Sequence, residues 1–410
     1  MNQCDFSPLL AYDDALSQLT ESVAAVTAIE DVPLLAARGR VLARDIESTI
    51  DVPGCAMSSM DGYAIRTADL AGQGETRLPL TQRIAAGDAE SVLAPGNAAR
   101  IFTGAPIPDG ADAVIMQEQV EADAESIRFE QQPPAGQNIR PRGNDIQAGT
   151  TILTRGQRLR PQDIGLAASV GLSTLPVHAP LRVGIFFTGD ELIEPGQALA
   201  SGKIYDSNRY TLHGLLEAMG CDIVDLGLVG DTLEATRQAM LEAAGKADLV
   251  VTTGGVSVGE EDHVRIAIEQ LGELRLWRLG IKPGKPLAYG RIEGTAFMGL
   301  PGNPVSVFAT FCLFVCPVIR ILQGREWHKP TPLPVRADFD WPRPDSRREF
   351  LRARTVSHDD GETRVEIYPN QDSGVLTSTA WADGFVEVAE NATVQRGDTV
   401  NYLPFAAFFE

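Results

Sequence analysis

The stretch that decides the fold of this chain is ADLVVTTGGVSVGEEDHV, residues 247–264. It is typical of a buried β-strand, then a turn at Gly254 and Gly255, then a helix predicted from about residue 261. A glycine turn leading into a helix N-terminus presents free N–H groups and the positive end of the helix dipole, which favour an anion. The carboxylates at 260–262 share that space with an anion only if a cation lies between them. The stretch therefore predicts an oxyanion or phosphate-like substrate held with a divalent metal.

Two known motifs overlap this turn. Gly254 and Gly259 have the P-loop spacing, but Glu260 and Glu261 replace the Lys-Ser/Thr pair of a P-loop, which excludes that site. Ser257 lies in a G-x-S-x-G pattern between a predicted strand and helix, as in a hydrolase nucleophile elbow. The carboxylates that follow, and the lack of an upstream HGGG-like segment, argue against a hydrolase, which stays an alternative.

The wider pattern predicts several domains. Strands alternate with helices over residues 181–323, which predicts a mostly parallel sheet covered on both faces, with binding at the carboxyl ends of its strands. Residues 45–146 are rich in glycine and proline and predict a β-rich domain, and the chain after 327 predicts a small closed or sandwich-like β domain. Residues 8–30 have the spacing of one amphipathic helix.

Carboxylates follow three predicted strands of the α/β region. Asp190 and Glu191 follow one strand, Asp231 follows the next, and Asp262 lies beyond the glycine turn. Singly, each suits a helix start. Together they predict a magnesium site, since Mg²⁺ is held by a few carboxylates and substrate phosphates.

A basic loop and a proline turn follow two further predicted strands. Arg278, Lys282 and Lys285 lie within eight residues of one another, and the turn from Pro301 to Pro304 opens a helix. A solvated loop is the common fate of such a charge run. Its place after a strand of the same sheet instead predicts that it meets the carboxylates around a shared oxyanion pocket.

Composition excludes several classes of protein. The 410 residues carry a formal net charge of −20, so nucleic acid is not expected as a general partner. Five scattered cysteines without a C-x-x-C pair, and an N-terminus unlike a signal peptide, indicate a reduced, cytoplasmic setting. The apolar run 305–319 is too short to span a membrane and predicts a buried helix. The absence of G-x-G-x-x-G argues against a dinucleotide oxidoreductase.

Eight motifs occur in a fixed order: SMDGYA, FTGAPIP, RPRGND, TGDEL, GLVGD, TTGGVSVGEEDHV, IKPGKP and LPGNPVS. In this order they resemble the molybdopterin molybdenumtransferases, molybdenum-insertion enzymes similar to the C-terminal domain of gephyrin, from about residue 8 onwards. The resemblance implies an elongated homodimer whose active site lies between the α/β domain of one chain and the inserted domain of the other. It implies four domains: an N-terminal linking domain (7–45 and 146–178), an inserted β-rich domain (46–145), a three-layer α/β molybdopterin-binding domain (179–326) and a C-terminal small β-barrel (327–410).

The implied reaction transfers molybdenum from molybdate to adenylylated molybdopterin and releases AMP, with Mg²⁺ as cofactor. By the motifs, the implied catalytic residues are Asp61, Thr103, Asp145, Glu191, Asp231 and Asp262, of which Glu191, Asp231 and Asp262 would hold the metal. The implied substrate-binding residues are Arg140, Gly254, Gly255, Ser257, Arg278, Lys282, Lys285, Pro301, Pro304, Arg352 and Ser373. Two departures affect fine geometry: Arg278 replaces a usual lysine, and the loop 53–57, PGCAM, is more apolar than is typical.

Three functional alternatives remain at this point. The preceding adenylylation of molybdopterin uses a related α/β domain, although the extra domains favour insertion. A scaffold that clusters a partner is possible for a gephyrin-like chain, but the strand-end carboxylates argue against a purely structural role. The serine hydrolase is the third. Other proteins of molybdenum cofactor biosynthesis are possible partners.

Overall fold

The computed structural model describes residues 9–26, 28–70, 72, 74–255 and 263–409. Up to residue 178 the elements are mostly short strands. In chain order they are α1 (Tyr12–Glu21), β1 (Ile29–Pro33), a 3₁₀ turn (Leu34–Ala36), β2 (Ile46–Glu47), β3 (Met57–Ser58), β4 (Gly62–Ile65), a 3₁₀ turn (Thr67–Asp69), β5 (Thr76–Ile84), β6 (Ala98–Ile101), β7 (Ala113–Met116), a 3₁₀ turn (Gln117–Gln119), β8 (Glu121–Ala122), β9 (Ser126–Phe129), β10 (Ile139–Arg140), β11 (Thr151–Leu153), α2 (Pro161–Ser169) and β12 (Thr174–His178).

A six-stranded sheet, which we name the insertion sheet, dominates this part. Its order is β7-β4-β6-β5-β9-β8, and its pairs are antiparallel except for β5 with β6. Successive residues of β4 alternate between two apolar clusters: Tyr63 and Ile65 lie in one, Ala64 in the other. Before and after the sheet, β1 pairs with β12 and β2 with β11. The chain thus leaves and returns side by side, which makes the sheet an insertion.

The prediction of one long N-terminal helix over residues 8–30 is wrong. The helix ends at Glu21, where the N–H of Ser22 bonds to the carbonyl of Leu19. Residues Ile29–Pro33 instead form β1, which pairs antiparallel with β12 along its whole length. A strand pairing to residues far along the chain has overridden a local helical pattern.

The middle of the chain alternates strands with helices. Its elements are β13 (Arg182–Thr188), β14 (Leu192–Ile193), β15 (Ile204–Tyr205), α3 (Ser207–Ala218), β16 (Asp222–Val229), α4 (Leu233–Lys246), β17 (Leu249–Thr253), α5 (His263–Leu271), β18 (Gly272–Arg278), β19 (Ile281–Lys282), β20 (Pro286–Ile292), β21 (Thr295–Leu300), α6 (Pro304–Thr310), a π-helical turn (Phe311–Val315) and α7 (Cys316–Leu322).

Six of these strands form the central sheet, in the order β16-β13-β17-β21-β20-β18. The first four are parallel to one another, and β20 is antiparallel to both of its neighbours. The helices α4 and α5 contribute to the apolar cluster on one face, and α1, α3, α6 and α7 to the cluster on the other. The predicted mostly parallel sheet in a three-layer α/β domain is confirmed.

One continuous helix of 19 residues, Pro304–Leu322, runs through the core. Within the described ranges it is the one helix long and apolar enough to cross a membrane, and most of it is buried inside the protein. Phe311 and Phe314 are fully buried in the cluster that includes α1 and the central sheet. The prediction of a buried helix from residue 304 is therefore confirmed.

The last part of the chain forms a small closed barrel. Its elements are β22 (Leu333–Ala337), β23 (Arg348–Ser357), β24 (Thr363–Ile367), α8 (Thr377–Trp381), β25 (Gly384–Val388), β26 (Thr399–Pro404) and α9 (Ala406–Phe409). The strand order β23-β24-β22-β26-β25 closes through the pairing of β23 with β25, and β19 adds to β23 in parallel.

The barrel is joined to the central domain by aromatic side chains. The ring of Phe308 lies 4.9 Å from that of Phe405, and the ring of Tyr12 lies 5.3 Å from that of Phe350, both edge to face. Such pairs add about 0.5–1.5 kcal/mol each beyond the burial of their area. The barrel is therefore fixed near the carboxyl-end edge of the central sheet.

Candidate active site

The clearest site-building contact joins the ends of two parallel strands. Thr188 is the last residue of β13, and Asp231 follows the neighbouring β16 by two residues. The hydroxyl of Thr188 donates a hydrogen bond of 2.9 Å to Asp231 Oδ1. Thr188 is buried and Asp231 half-buried, so the bond fixes the carboxylate at the edge of the sheet.

Glu191 lies three residues beyond the same strand. Its side chain folds back over Gly189, which has a φ of +148°. A β-carbon at Gly189 would lie 2.7 Å from Glu191 Oε2, so with any other residue there the flexible Glu191 side chain would have to move, and the φ itself disfavours a side chain. The glycine of the TGDEL motif thus has a steric reason: it lets the exposed Glu191 carboxylate approach the strand end.

The glycine turn lies beside these carboxylates, after β17. Gly254 and Gly255 both have positive φ values, and the N–H of Gly254 bonds to the carbonyl of Leu300 at 3.0 Å. The amide of Asn208, at the start of α3, donates to the carbonyl of Gly302 at 2.8 Å. Its Oδ1 is buried without a hydrogen-bond partner among the described residues. Asn208 therefore ties α3 to the turn after β21.

Two predicted residues of this region, Ser257 and Asp262, lie outside the described residues, as do Glu260 and Glu261. Within the ranges that are described, no group of three or more His, Cys, Asp or Glu side chains is close enough to hold a metal. Mg²⁺ commonly uses only one or two carboxylates and takes its other ligands from water and substrate phosphate. Asp231 and Glu191, on adjacent strand ends, match that chemistry.

The basic loop lies on the same edge of the sheet but at its far end. Arg278 ends β18. This strand is antiparallel to β20, which is antiparallel to β21, so β18 runs in the same direction as β21 and β17 and ends at the same edge of the sheet. Five strand spacings separate β18 from β16, roughly 24 Å at about 4.8 Å each. Asp231 and Glu191 follow the adjacent strands β16 and β13 at one end of this edge, and the basic loop lies at the other end, so the loop does not meet these carboxylates in one oxyanion pocket as the sequence predicted.

Lys282 has partners in the barrel. Its Nζ lies 2.8 Å from Glu349 Oε1 and 3.4 Å from Asp345 Oδ2, and Glu349 is almost fully buried. The contact with Glu349 is an ion pair whose angles fall outside those of a hydrogen bond. Hydrogen bonds from Arg347, with the charge of Lys282 nearby, hold the pKa of Asp345 well below its usual range. Lys285 is exposed, and its carbonyl accepts from the N–H of Leu279 at 2.7 Å.

The proline turn meets Ser373 of the barrel. Pro301 is buried, and Pro304 is the first residue of α6. The amide of Asn303 donates to Ser373 Oγ at 2.9 Å, and the N–H of Val305 donates to the carbonyl of Ser373 at 3.1 Å. These bonds use part of the hydrogen-bonding capacity at the helix start.

Arg352 is buried near this contact. Its guanidinium donates to Ser378 Oγ at 3.1 Å and to the carbonyl of Asp372 at 3.3 Å. Burial lowers the pKa of Arg352 to about 10. In the described structure the guanidinium orders the segment that carries Ser373; a direct role in substrate binding stays a prediction.

The predicted residues of the insertion form a second group. The N–H and the hydroxyl of Thr103 both donate to Asp61 Oδ1, each at 2.8 Å. These two bonds, with the charge of Arg100, lower the pKa of the exposed Asp61 carboxyl. Arg140 ends β10, opposite Met57, and is exposed, as is Asp145, whose N–H bonds to the carbonyl of Val52 at 2.9 Å.

Sequence reasoning missed Thr188 and Asn208 in this site. Thr188 lies inside the TGDEL motif, but a threonine that ends a strand is ordinary and does not by itself indicate a site. A hydroxyl followed at the next strand end by a carboxylate is the signal that was available. Asn208 had no comparable signal, since its partners Thr253 and Gly302 come from two other strand ends.

Comparisons with known proteins agree along the whole chain. Residues 10–171 match the model of the MoeA N-terminal region (domain I and II), 184–321 that of a probable molybdopterin binding domain, and 334–405 that of the MoeA C-terminal region (domain IV). A molybdopterin molybdenumtransferase of Haemophilus influenzae is 39% identical over 401 residues, 97% of this chain and 99% of that protein. A second, molybdopterin molybdenumtransferase 2 of Mycobacterium tuberculosis, is 36% identical over 88% of this chain and 91% of its own.

Solved structures are similar over the same length. The crystal structure of the molybdopterin biosynthesis moeA protein from Pyrococcus horikoshii OT3 has a TM-score of 0.84 and 31% identity, covering 97% of this chain and 100% of that one. Sequence, family models and fold therefore agree, and the chain belongs to the molybdopterin molybdenumtransferase family.

Proposed function

We propose that this protein inserts molybdenum from molybdate into adenylylated molybdopterin and releases AMP, in a reaction that requires Mg²⁺. The observation that carries the proposal is the hydrogen bond between Thr188 and Asp231 beside the glycine turn after β17. It fixes a carboxylate next to backbone geometry suited to an anion, at the edge where parallel α/β sheets bind ligands.

Asp231 and Glu191 would hold the magnesium ion. When bound, Mg²⁺ supplies positive charge that neutralises the substrate phosphates and polarises the bond that is cleaved. The hydroxyl of Thr188 orients Asp231 by donating to one of its two carboxylate oxygens. Gly254 and Gly255 let the backbone approach the pterin or phosphate closely. Asp262 and Ser257 belong to the proposed site, and the basic loop to its far end, through the family resemblance.

The proposal includes a homodimer. Asp61 and Thr103, with Arg140 and Asp145, lie on the insertion and would face the central-sheet edge of the partner subunit. The support is chemical: Thr103 donates twice to one oxygen of an exposed Asp61 carboxylate, an arrangement that holds a charged group ready at a surface. The four-domain division at residues 45, 145, 178 and 326, and a cytoplasmic location, are part of the same proposal.

The test of this proposal measures the release of AMP. Purified protein is mixed with adenylylated molybdopterin and Mg²⁺, with and without molybdate, and AMP is measured over time. AMP release that depends on molybdate and stops when Mg²⁺ is chelated supports the proposal. Pyrophosphate release from ATP and free molybdopterin would identify adenylylation instead, and labelling of Ser257 by a fluorophosphonate would identify a hydrolase. A protein that does none of these and only binds a partner would be a scaffold.

A further inference from the structure

Two arginines and an aromatic ring form an unassigned group on the insertion sheet. The guanidinium of Arg83 lies 4.6 Å from the ring centroid of Phe102, and that of Arg100 lies 4.8 Å from the same ring. Arg100 also lies 5.0 Å from the ring of Tyr63. We name Arg83, Arg100 and Phe102 the arginine patch.

Strand register brings the two charges together. Arg83 on β5 and Arg100 on β6 are direct partners in the parallel pairing of these strands. Like charges in direct opposition destabilise a sheet, so the arrangement carries a cost unless something offsets it. Stacking of both guanidinium groups on Phe102 offsets part of that cost.

Neither arginine is neutralised by an acid. Among the described residues, neither Arg83 nor Arg100 forms an ion pair, although the chain has 20 more acidic than basic side chains. Arg100 donates to the carbonyl of Gly62 at 3.0 Å and to the amide oxygen of Gln117 at 2.5 Å, both neutral groups. Arg83 is exposed, and its guanidinium lies over the ring of Phe102. The patch is thus a concentrated positive charge in an acidic protein.

The patch adjoins the Asp61–Thr103 pair. Phe102 directly precedes Thr103, and Gly62, whose carbonyl Arg100 holds, directly follows Asp61. The side chain of Gln117 accepts a hydrogen bond from Arg100, and its backbone N–H donates to the carbonyl of Asp61 at 3.1 Å. The charge of Arg100 contributes to the lowered pKa of Asp61. Arg100 is therefore bound into the loop that positions Asp61, whereas the N–H groups of Arg83 face solvent.

We propose that the arginine patch binds a tetrahedral oxyanion of the substrate beside Asp61, with Arg83 as the direct ligand and Arg100 as the second cation. The inference rests on the proposed function, which provides two such oxyanions: the phosphate of the nucleotide and molybdate. A planar guanidinium held over a ring presents two N–H donors to an oxyanion at little cost in conformational entropy. Asp61, a carboxylate, repels an oxyanion unless such cations lie beside it.

The experiment compares wild type with Arg83→Ala, Arg83→Lys and Arg77→Ala in the full-length protein. Arg77 lies on the same strand, is exposed and faces Arg128 across the sheet, so its loss removes the same charge at a distance from Asp61. Titration calorimetry measures binding of AMP and, separately, of molybdate. The AMP-release assay gives KM for each substrate and kcat.

Arg83→Ala should weaken the binding of one of the two oxyanions by at least about tenfold, as loss of a charged hydrogen bond does. The KM for that substrate should rise, while kcat stays within about twofold of wild type. Arg83→Lys should recover part of the affinity, and Arg77→Ala should stay within about twofold of wild type. Loss of AMP affinity assigns the patch to the phosphate, and loss of molybdate affinity assigns it to molybdate.

Equal affinities for Arg83→Ala and Arg77→Ala, or a wild type that binds neither ligand, overturn the inference. Failure of the proposed function has a different signature. A wild type that binds AMP through Arg83 but releases none in the presence of molybdate leaves the patch intact and removes the reaction. A wild type that releases AMP with a KM insensitive to Arg83→Ala leaves the reaction and removes the patch.

Discussion

Thr188 Oγ1 donates a hydrogen bond of 2.9 Å to Asp231 Oδ1, and this bond joins the carboxyl ends of two neighbouring parallel strands. Thr188 ends a strand that is buried from Val183 onwards, whereas Asp231 is half-buried. The bond uses one oxygen of the carboxylate and so fixes its direction. Orientation of this kind by a neighbouring group commonly changes metal affinity or activity by 10–100-fold.

The first prediction concerns this pair. Asp231→Asn should lower the rate of AMP release by about 10²–10³-fold, because an amide cannot supply the negative charge that holds the cation. Thr188→Val, which removes only the hydroxyl, should lower it by about tenfold and raise the Mg²⁺ concentration needed for half-maximal rate. Steady-state assays over a Mg²⁺ series measure both effects.

Asp222→Asn is the matched control, since this exposed aspartate begins the same strand at the opposite edge of the sheet. Its rate and Mg²⁺ dependence should equal those of wild type. If Thr188→Val also left the Mg²⁺ dependence unchanged, Asp231 would not act through a cation.

The second prediction separates the structural role of Lys282 from its predicted role in substrate binding. Lys282→Met leaves the carboxylate of Glu349, almost fully buried, without its cation. Loss of one partner of a buried pair costs about 3–5 kcal/mol, and we expect about 2 kcal/mol because Lys282 is half-exposed. Urea unfolding measures this free energy.

Lys246→Met provides the comparison. Lys246 also lies 2.7 Å from a glutamate, Glu242, but both are on the exposed side of α4, so the expected loss is below about 0.5 kcal/mol. Equal unfolding curves for both variants, with activity lost only in Lys282→Met, would mean that Lys282 acts on the substrate instead.

The sequence was sufficient to predict the central sheet. Three of the four parallel strands are followed directly by glycine, and all five residues of Leu249–Thr253 are buried, as a sheet covered on both faces requires. Because carboxyl ends of parallel strands meet at one edge, the sequence was enough to place Glu191 and Asp231 at the same edge of the sheet. The same local patterns predicted the strands of the C-terminal barrel.

Contacts between distant segments could not be predicted from local pattern. Lys282 follows a strand of the central sheet in sequence, yet β19 pairs with β23 of the barrel, and the ion pair with Glu349 follows from that pairing. The arginine patch was missed for a related reason. Arg83 and Arg100 look like ordinary exposed arginines until the register of β5 and β6 places them opposite each other.

The third prediction concerns Gly284 in the basic loop. Its φ is +107°, and a β-carbon there would lie 2.6 Å from Thr310 Cγ2 in the core helix. Gly284→Ala should therefore destabilise the protein by about 3 kcal/mol, from backbone strain together with overpacking. Gly294→Ala should cost only about 1 kcal/mol, because its φ is +92° and no atom lies within 4 Å of the new carbon.

A compensating change tests the steric part. Thr310→Ser removes Cγ2 but keeps the hydroxyl that donates to the carbonyl of Ser306 at 2.7 Å. In urea unfolding, the double variant Gly284→Ala/Thr310→Ser should be more stable than Gly284→Ala alone. The gain in the free energy of unfolding should equal the difference between Gly284→Ala and Gly294→Ala. A double variant less stable than Gly284→Ala would mean that the clash is not with Thr310.

The fourth prediction concerns pH and stability. His178 is buried, and neither ring nitrogen has a hydrogen-bond partner among the described residues. Burial, and then the charge of Arg155, lower its pKa from 6.5. The unfolded chain therefore binds a proton at His178 more readily than the folded protein does. The contribution of His178 to the free energy of unfolding is therefore fully present above pH 6.5 and is lost as pH falls through the pKa of the folded state.

Urea midpoints at about pH 7.5 and about pH 5 measure the effect. The midpoint of wild type should fall more than that of His178→Gln, which cannot take up the proton. His213→Gln removes an exposed histidine and should leave the fall equal to that of wild type. An identical fall in wild type and His178→Gln would show that His178 is not protonated on unfolding.

The last prediction tests whether the active site is shared between subunits. Asp61→Ala and Asp231→Ala should each be inactive, because each removes a carboxylate from one half of the proposed site. Unfolding and refolding an equal mixture forms heterodimers in which one of the two sites has both carboxylates. Random pairing of a two-fold dimer makes half of the molecules heterodimers, so about a quarter of wild-type activity should return. If Asp61 and Asp231 acted within one chain, no combination would contain an intact site, and the refolded mixture would stay inactive. Sedimentation velocity on the same samples checks that dimers form in every case.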